Sequence, residues 1–141
     1  MIEFIYQILA KVGFNHPLHP PMTHLPMGMI MGGFLFGLTA VVFKKKELAK
    51  AAHYCYTLAL IFVLPTMILG YMDWQYKLYG EWSNLIVAKI ILAFTLTGML
   101  VVAFVLGRND SVDIKKRLIA YALCLALAIG LGFIGGTLQY G

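Results

Sequence analysis

Four long apolar runs alternate with short polar segments along the 141-residue chain. They extend over residues 21–43, 51–72, 84–106 and 118–138. Each is long enough to cross the hydrocarbon core of a bilayer, which takes about 20 apolar residues in an α-helix. The connections are short, and short connections favour antiparallel neighbours. We therefore predict an all-α membrane protein, an antiparallel bundle of four transmembrane helices in a single domain over residues 1–141.

A shorter segment with one apolar side precedes these runs. Its apolar and polar residues recur at helical spacing on opposite sides: Ile2, Ile5, Leu9 and Val12 on one, Glu3, Gln7 and Lys11 on the other. An amphipathic helix of this kind lies in the plane of the membrane interface. We predict a short N-terminal interfacial helix within residues 1–15.

Composition and charge agree with a membrane location. Hydrophobic residues make up 61% of the chain and charged residues 12%, which excludes an ordinary soluble domain. The net charge of +5 does not indicate nucleic acid, because most basic residues flank only two connections: Lys44, Lys45, Lys46, Lys50, Arg108, Lys115, Lys116 and Arg117. Basic loops stay in the cytoplasm. The sequence thus predicts a multi-pass membrane protein with both termini outside the cytoplasm, which for a bacterial inner-membrane protein is the periplasm.

Three of the four histidines lie in residues 16–26, just before and within the first apolar run. The neighbouring prolines favour extended backbone at His16 and His19, so that the two rings project to the same side. Thr23 is predicted to cap the N-terminus of the helix that follows. The fourth histidine, His53, falls on the cytoplasmic side, where we expect it to reach water.

Small residues follow His24 along one side of the first predicted membrane helix. Gly28 and Gly32 lie four and eight residues after His24, which places bare backbone beside the imidazole. Such a stripe leaves room for a flat cofactor. Gly33 and Gly37 are predicted to let neighbouring helices approach closely.

Two charged residues are predicted near the level of His24. Asp73 follows the second apolar run and can orient an imidazole or ligate a metal with it. Lys89 lies about a turn and a half inside the third run, where an ionisable group is costly unless it is paired or reaches the surface. Its partners can be Asp73, Glu81, or a propionate or quinone oxygen of a cofactor.

These residues predict a cofactor site near the periplasmic face. Haem b is commonly held by two axial imidazoles, for which His24 and His19 are the first candidates and His16 the second. A copper, zinc or iron ion held by His16, His19, His24 and Asp73 is an alternative, as is a quinone. No Cys-x-x-Cys-His sequence is present, which excludes covalent haem attachment.

The sequence His-Pro-Leu-His-Pro-Pro-Met-Thr-His-Leu-Pro-Met-Gly, with Gly70 and Asp73-Trp74 at the end of the second run, resembles the bacterial membrane family known as domain of unknown function 2231. The resemblance covers nearly the whole chain. Its motif positions correspond to His16, His19, His24, Pro26, Gly70 and Asp73. It implies a four-helix membrane domain, joined in some members to Rieske or c-type cytochrome modules, without an assigned activity.

We therefore expect a redox-associated subunit that binds haem b, a quinone or a metal and takes part in electron transfer, rather than a stand-alone enzyme. Its expected partners are the bilayer and other membrane or periplasmic redox subunits. The Rieske and cytochrome modules joined to some members of the family favour a redox function by analogy. The alternative is a cofactor-free structural or assembly subunit, in which the histidines and prolines shape the start of the first membrane helix and bind Asp73.

Overall fold

Five α-helices make up most of the chain that the structure describes. The computed structural model describes residues 2–13 and 18–140, apart from the side chains of Leu9, Lys77, Gln139 and Tyr140. The helices are α1 (Ile2–Lys11), α2 (His19–Phe43), α3 (Lys46–Lys77), α4 (Asn84–Arg108) and α5 (Ile114–Tyr140). The last four are each long and apolar enough to cross a membrane. The predicted all-α membrane bundle is confirmed.

The four long helices form an antiparallel ring. Helix α2 packs against α3 and α5, and α4 packs against the same two helices. We call the end of the bundle that carries Asp73 the aspartate end, and the end with residues 44–46 the lysine end. Helices α2 and α4 begin at the aspartate end, whereas α3 and α5 begin at the lysine end.

The start of α2 differs from the prediction. The helix begins at His19, with Leu18 as its N-cap, so the predictions of an extended backbone at His19 and of a Thr23 cap are wrong. Thr23 lies within the first turns, and its hydroxyl donates to the carbonyl oxygen of Pro20 at 2.6 Å. The helix begins earlier than predicted because proline suits the first turn of a helix, where no N–H is required.

Two stacked tyrosines form the centre of the bundle. The rings of Tyr56 on α3 and Tyr121 on α5 are fully buried, with centroids 4.0 Å apart. A Cβ atom on Gly33 would lie 2.6 Å from the Tyr56 ring, and one on Gly37 would lie 2.9 Å from the Tyr121 ring. The predicted role of these two glycines in close helix packing is confirmed.

Arg117 fastens the connection between α4 and α5 at the lysine end. The residue is 6% exposed, and its guanidinium donates to the carbonyl oxygens of Gly107, Asn109 and Val112. The last carbonyls of a helix have no partner within it, so the arginine caps the C-terminus of α4. Its ion pair with exposed Asp110, at 3.9 Å, adds little, since such pairs are weak in water.

Candidate functional site

Asp73 on α3 caps the N-terminus of α2. The first four N–H positions of a helix have no partner within it. At the start of α2 two of these positions are prolines, which have no N–H, and the other two are Leu18 and His19. The Leu18 N–H donates to Oδ1 of Asp73 at 3.2 Å, and the His19 N–H donates to Oδ2 at 2.7 Å. A carboxylate there is also favoured by the helix dipole.

Tyr6 joins α1 to the same carboxylate. Its hydroxyl donates to Oδ1 of Asp73, and its ring stacks on Tyr76 with centroids 4.1 Å apart. Burial, together with the neighbouring carboxylate, raises the pKa of Tyr6 far above its ordinary value, so the hydroxyl keeps its proton. The N-terminal helix is thereby held against the end of α3, beside the start of α2.

The ring of His19 is fixed by α3. Its Nδ1 lies 2.9 Å from the carbonyl oxygen of Thr66. Because a carbonyl oxygen can only accept, Nδ1 carries the hydrogen. In the neutral ring the lone pair is then on Nε2, which has no hydrogen-bond partner among the residues that the structure describes. The His19 ring is thus oriented by Thr66, and Asp73 binds only the backbone N–H of His19. We had predicted that Asp73 would orient an imidazole ring.

Gly70 leaves the space that the His19 ring occupies, because it has no side chain. A Cβ atom on Gly70 would lie 3.0 Å from Nδ1 and 3.1 Å from Cε1 of His19, closer than nearly all real contacts.

Thr66, one turn earlier on α3, is 6% exposed, and its hydroxyl donates to the carbonyl oxygen of Phe62 at 2.7 Å. The same hydroxyl lies 3.4 Å from the carbonyl oxygen of Met22, whose usual helical donor is missing because residue 26 is proline.

Lys89 on α4 approaches α5 near the aspartate end. The half-buried side chain interacts electrostatically with His19 and Asp73, and a Cβ atom on Gly135 of α5 would be 3.8 Å from its Nζ. Within the described ranges it forms no ion pair, neither with Asp73 nor with Glu81. The ammonium group thus remains available as a donor near the aspartate end.

His24 faces away from this site. It is exposed on the outside of α2 and has no hydrogen bond or ring contact to any residue that the structure describes. Side chains five residues apart on an α-helix point in very different directions, so the rings of His19 and His24 do not converge. Gly28 and Gly32 also border open space, because among the described residues no atom beyond their own stretch of helix lies within 4 Å of an added Cβ.

The metal ligands predicted from the sequence are not assembled in the described part of the chain. Across residues 2–13 and 18–140, no three His, Cys, Asp or Glu side chains come together in a way that could hold a metal ion. His16, a predicted ligand of haem or metal, lies outside the described residues.

His53 lies at the opposite end of the bundle, as predicted. Among the described residues, however, neither its buried Nδ1 nor the buried hydroxyl of Tyr121 has a hydrogen-bond partner. A Cβ atom on Gly107 would lie 2.4 Å from this nitrogen and 3.2 Å from that hydroxyl. The Nδ1 edge of the half-buried imidazole therefore packs against Gly107 of α4, and our expectation that the side chain reaches water stays a prediction.

Two residues of the site were missed in the sequence, Thr66 and Tyr6. Thr66 contributes a backbone carbonyl, which no side-chain pattern indicates. A weak signal exists for Tyr6, since it lies four residues after Ile2 and three before Leu9, on the apolar side of α1. A hydroxyl on the buried side of a short helix requires a polar partner elsewhere in the fold.

Comparisons with known proteins agree with this architecture. The family model described as "Predicted membrane protein (DUF2231)" matches residues 15–141. Neither the curated proteins nor the solved structures contain a match to the chain. The match covers all four membrane-spanning helices and the described residues of the aspartate end from Leu18 onward. The chain therefore belongs to the DUF2231 family of predicted membrane proteins.

Proposed function

We propose that the protein is a redox-associated membrane subunit that binds a quinone at the aspartate end, with His19 and Lys89 as its polar contacts. The observation that carries this proposal is the hydrogen bond from Nδ1 of His19 to Thr66, which leaves Nε2 as an acceptor. An imidazole oriented in this way can accept a hydrogen bond from a quinol hydroxyl or ligate a metal. The Lys89 ammonium supplies a donor for a quinone oxygen.

A quinone fits the described residues better than haem b. A haem with two axial imidazoles requires two rings that face each other, and His19 and His24 diverge from neighbouring positions on one helix. A quinone head requires only one acceptor and one donor, together with apolar surroundings. Haem b would need an additional ligand from His16 or another subunit.

The test is the cofactor content of the full chain purified in mild detergent. We expect quinone in organic extracts of the wild type, measured by liquid chromatography, and no haem absorption bands. His19→Asn is the sharpest variant, because the asparagine amide can still donate to the Thr66 carbonyl but has no counterpart of Nε2. We expect His19→Asn to lose the quinone.

His24→Ala is the matched control, since His24 lies on the same helix but is exposed and outside the site. We expect it to retain the quinone at the wild-type level. Loss of quinone in His24→Ala with retention in His19→Asn would overturn the proposal. If the wild type instead shows a haem spectrum and His19→Asn abolishes it, the cofactor at this imidazole is haem b rather than a quinone.

A cofactor-free structural or assembly subunit is the second candidate. It is supported by the Asp73 network, in which two N–H groups and a tyrosine hydroxyl satisfy the carboxylate with no cofactor involved. This candidate predicts that extracts contain no quinone, that spectra show no chromophore, and that elemental analysis finds no copper, zinc or iron. It also predicts that larger membrane complexes fail to assemble when the chain is deleted.

We further propose that the aspartate end faces the periplasm and the lysine end faces the cytoplasm of a bacterial inner membrane. The support is the concentration of lysine and arginine in the two loops of the lysine end. Electron exchange would then take place with periplasmic or membrane redox subunits at the aspartate end.

A further inference from the structure

An apolar groove runs along the outside of α2 toward the lysine end. It has a volume of about 540 Å³ and is lined by Gly32, Leu35, Phe36, Thr39, Phe43, Lys45 and Leu48. Gly32 and Thr39 are less exposed than the neighbouring Leu35 and Phe36, and the Thr39 hydroxyl donates to the carbonyl oxygen of Leu35 at 2.8 Å. The hydroxyl is thus satisfied, so the groove presents an apolar surface.

The groove matches one leaflet of a bilayer in length. From Gly32 to Phe43 the helix rises about 16 Å. One leaflet contributes about 15 Å of hydrocarbon, half of the membrane core. A single acyl chain can therefore lie in the groove between the middle of the membrane and the lysine end.

The open end of the groove is positively charged. Lys45 lines it directly, and Lys44 and Lys46 are exposed on either side. Lys44 ends α2 in the left-handed conformation, at φ 53°, so the chain turns sharply where the groove reaches the membrane surface. An anionic headgroup at this position would meet up to three ammonium groups.

We propose that this groove is a binding site for an anionic phospholipid, with the acyl chain over Gly32 and Thr39 and the phosphate at Lys45. Charge favours a lipid over a second copy of the chain. Two copies in one membrane have the same orientation, so contact through α2 would be parallel and would bring lysines 44–46 of both copies together. Like charges in contact oppose such an interface, whereas an anionic lipid neutralises them.

The test is lipid retention by the full chain. The protein is reconstituted into vesicles of equal phosphatidylglycerol and phosphatidylcholine, extracted in mild detergent, and analysed by native mass spectrometry. We expect the wild type to retain phosphatidylglycerol in preference to phosphatidylcholine. Lys45→Gln should lower the retained phosphatidylglycerol about fivefold, the effect of one lysine charge near an anionic surface.

Lys116→Gln is the matched control, because it removes the same charge from the other loop of the lysine end. We expect it to retain lipid as the wild type does. Gly32→Leu fills the groove without changing charge and should lower retention of both lipids. Equal retention by the Lys45 and Lys116 variants would overturn the proposal.

A second copy in the groove would also overturn it. Leu35→Cys, placed in a background with Cys55 and Cys124 replaced by alanine, would then form disulfide-linked dimers in vesicles under mild oxidation. We expect it to remain monomeric.

Discussion

At the residue scale, Asp73 connects three parts of the chain that are distant in sequence. Its carboxylate accepts the Tyr6 hydroxyl from α1 and two N–H groups from the start of α2, while it is itself part of α3. Hydrogen bonds to an ionised acceptor are stronger than those between neutral groups. The residue therefore contributes to stability at the aspartate end whether or not a cofactor binds there.

Asp73→Asn tests this contribution. The amide keeps one acceptor oxygen but replaces the other by a donor that faces N–H groups and a tyrosine hydroxyl. We expect the free energy of unfolding, measured by denaturant titration in detergent micelles, to fall by about 2 kcal/mol. Glu81→Gln changes an exposed carboxylate at the same end and should have little effect. Equal losses in the two variants would contradict the capping role.

The sequence indicated Asp73 as a site residue but not its partners. Its position after an apolar run shows that it lies near the membrane boundary, whereas its contacts are backbone N–H groups and a hydroxyl from other helices. The sequence did not indicate the tautomer of His19 either, because the tautomer depends on a backbone carbonyl oxygen of α3. Residue types predict chemistry, but which backbone group faces them depends on packing.

At the scale of the helices, the apolar pattern predicted each membrane span but not the full length of each helix. Helix α3 extends from Lys46 to Lys77, beyond both ends of the predicted run over 51–72. The apolar run ends where the membrane ends, but helical hydrogen bonding does not require apolar side chains and continues into the interface. This extension is what carries Asp73 and Tyr76 to the start of α2 and to α1.

The glycines of α2 give a prediction for helix packing. Gly33→Ala would place a methyl group 2.6 Å from the buried Tyr56 ring, whereas the methyl group of Gly28→Ala would have no neighbour from another helix within 4 Å in the described part of the chain. We expect Gly33→Ala to lower stability by about 1–3 kcal/mol through overpacking. Gly28→Ala should be neutral or stabilising by up to about 1 kcal/mol, since alanine is the better helix former. Thermal unfolding of both variants in the same detergent is the measurement, and a similar midpoint for both would contradict the packing described.

At the scale of the whole molecule, the bundle has two chemically different ends. The aspartate end contains the capped start of α2, the oriented His19 ring and an aromatic group in which Trp74 lies edge-on to Tyr71 and Trp82. The lysine end contains the basic loops and the Arg117 cap. The concentration of lysine and arginine at one boundary is typical of a protein with a fixed orientation in the membrane.

Cysteine labelling tests the proposed orientation. Glu81 and Ser111 are exposed in loops at opposite ends, so each can be replaced by cysteine with little disturbance of the bundle. In intact spheroplasts we expect a membrane-impermeant maleimide to label Glu81→Cys at once and Ser111→Cys only after permeabilisation. The reverse order would place the proposed quinone site on the cytoplasmic side.

The cap on α2 has a consequence for biosynthesis. Leu18 precedes its acceptor Asp73 by 55 residues, so while the ribosome is still producing the early part of α3, the first turn of α2 has no carboxylate to bind. That turn becomes fully satisfied only when α3 has been threaded through the translocon to its far end. Helices α2 and α3 therefore mature as one hairpin, and a nascent chain truncated before residue 73 should leave the start of α2 frayed.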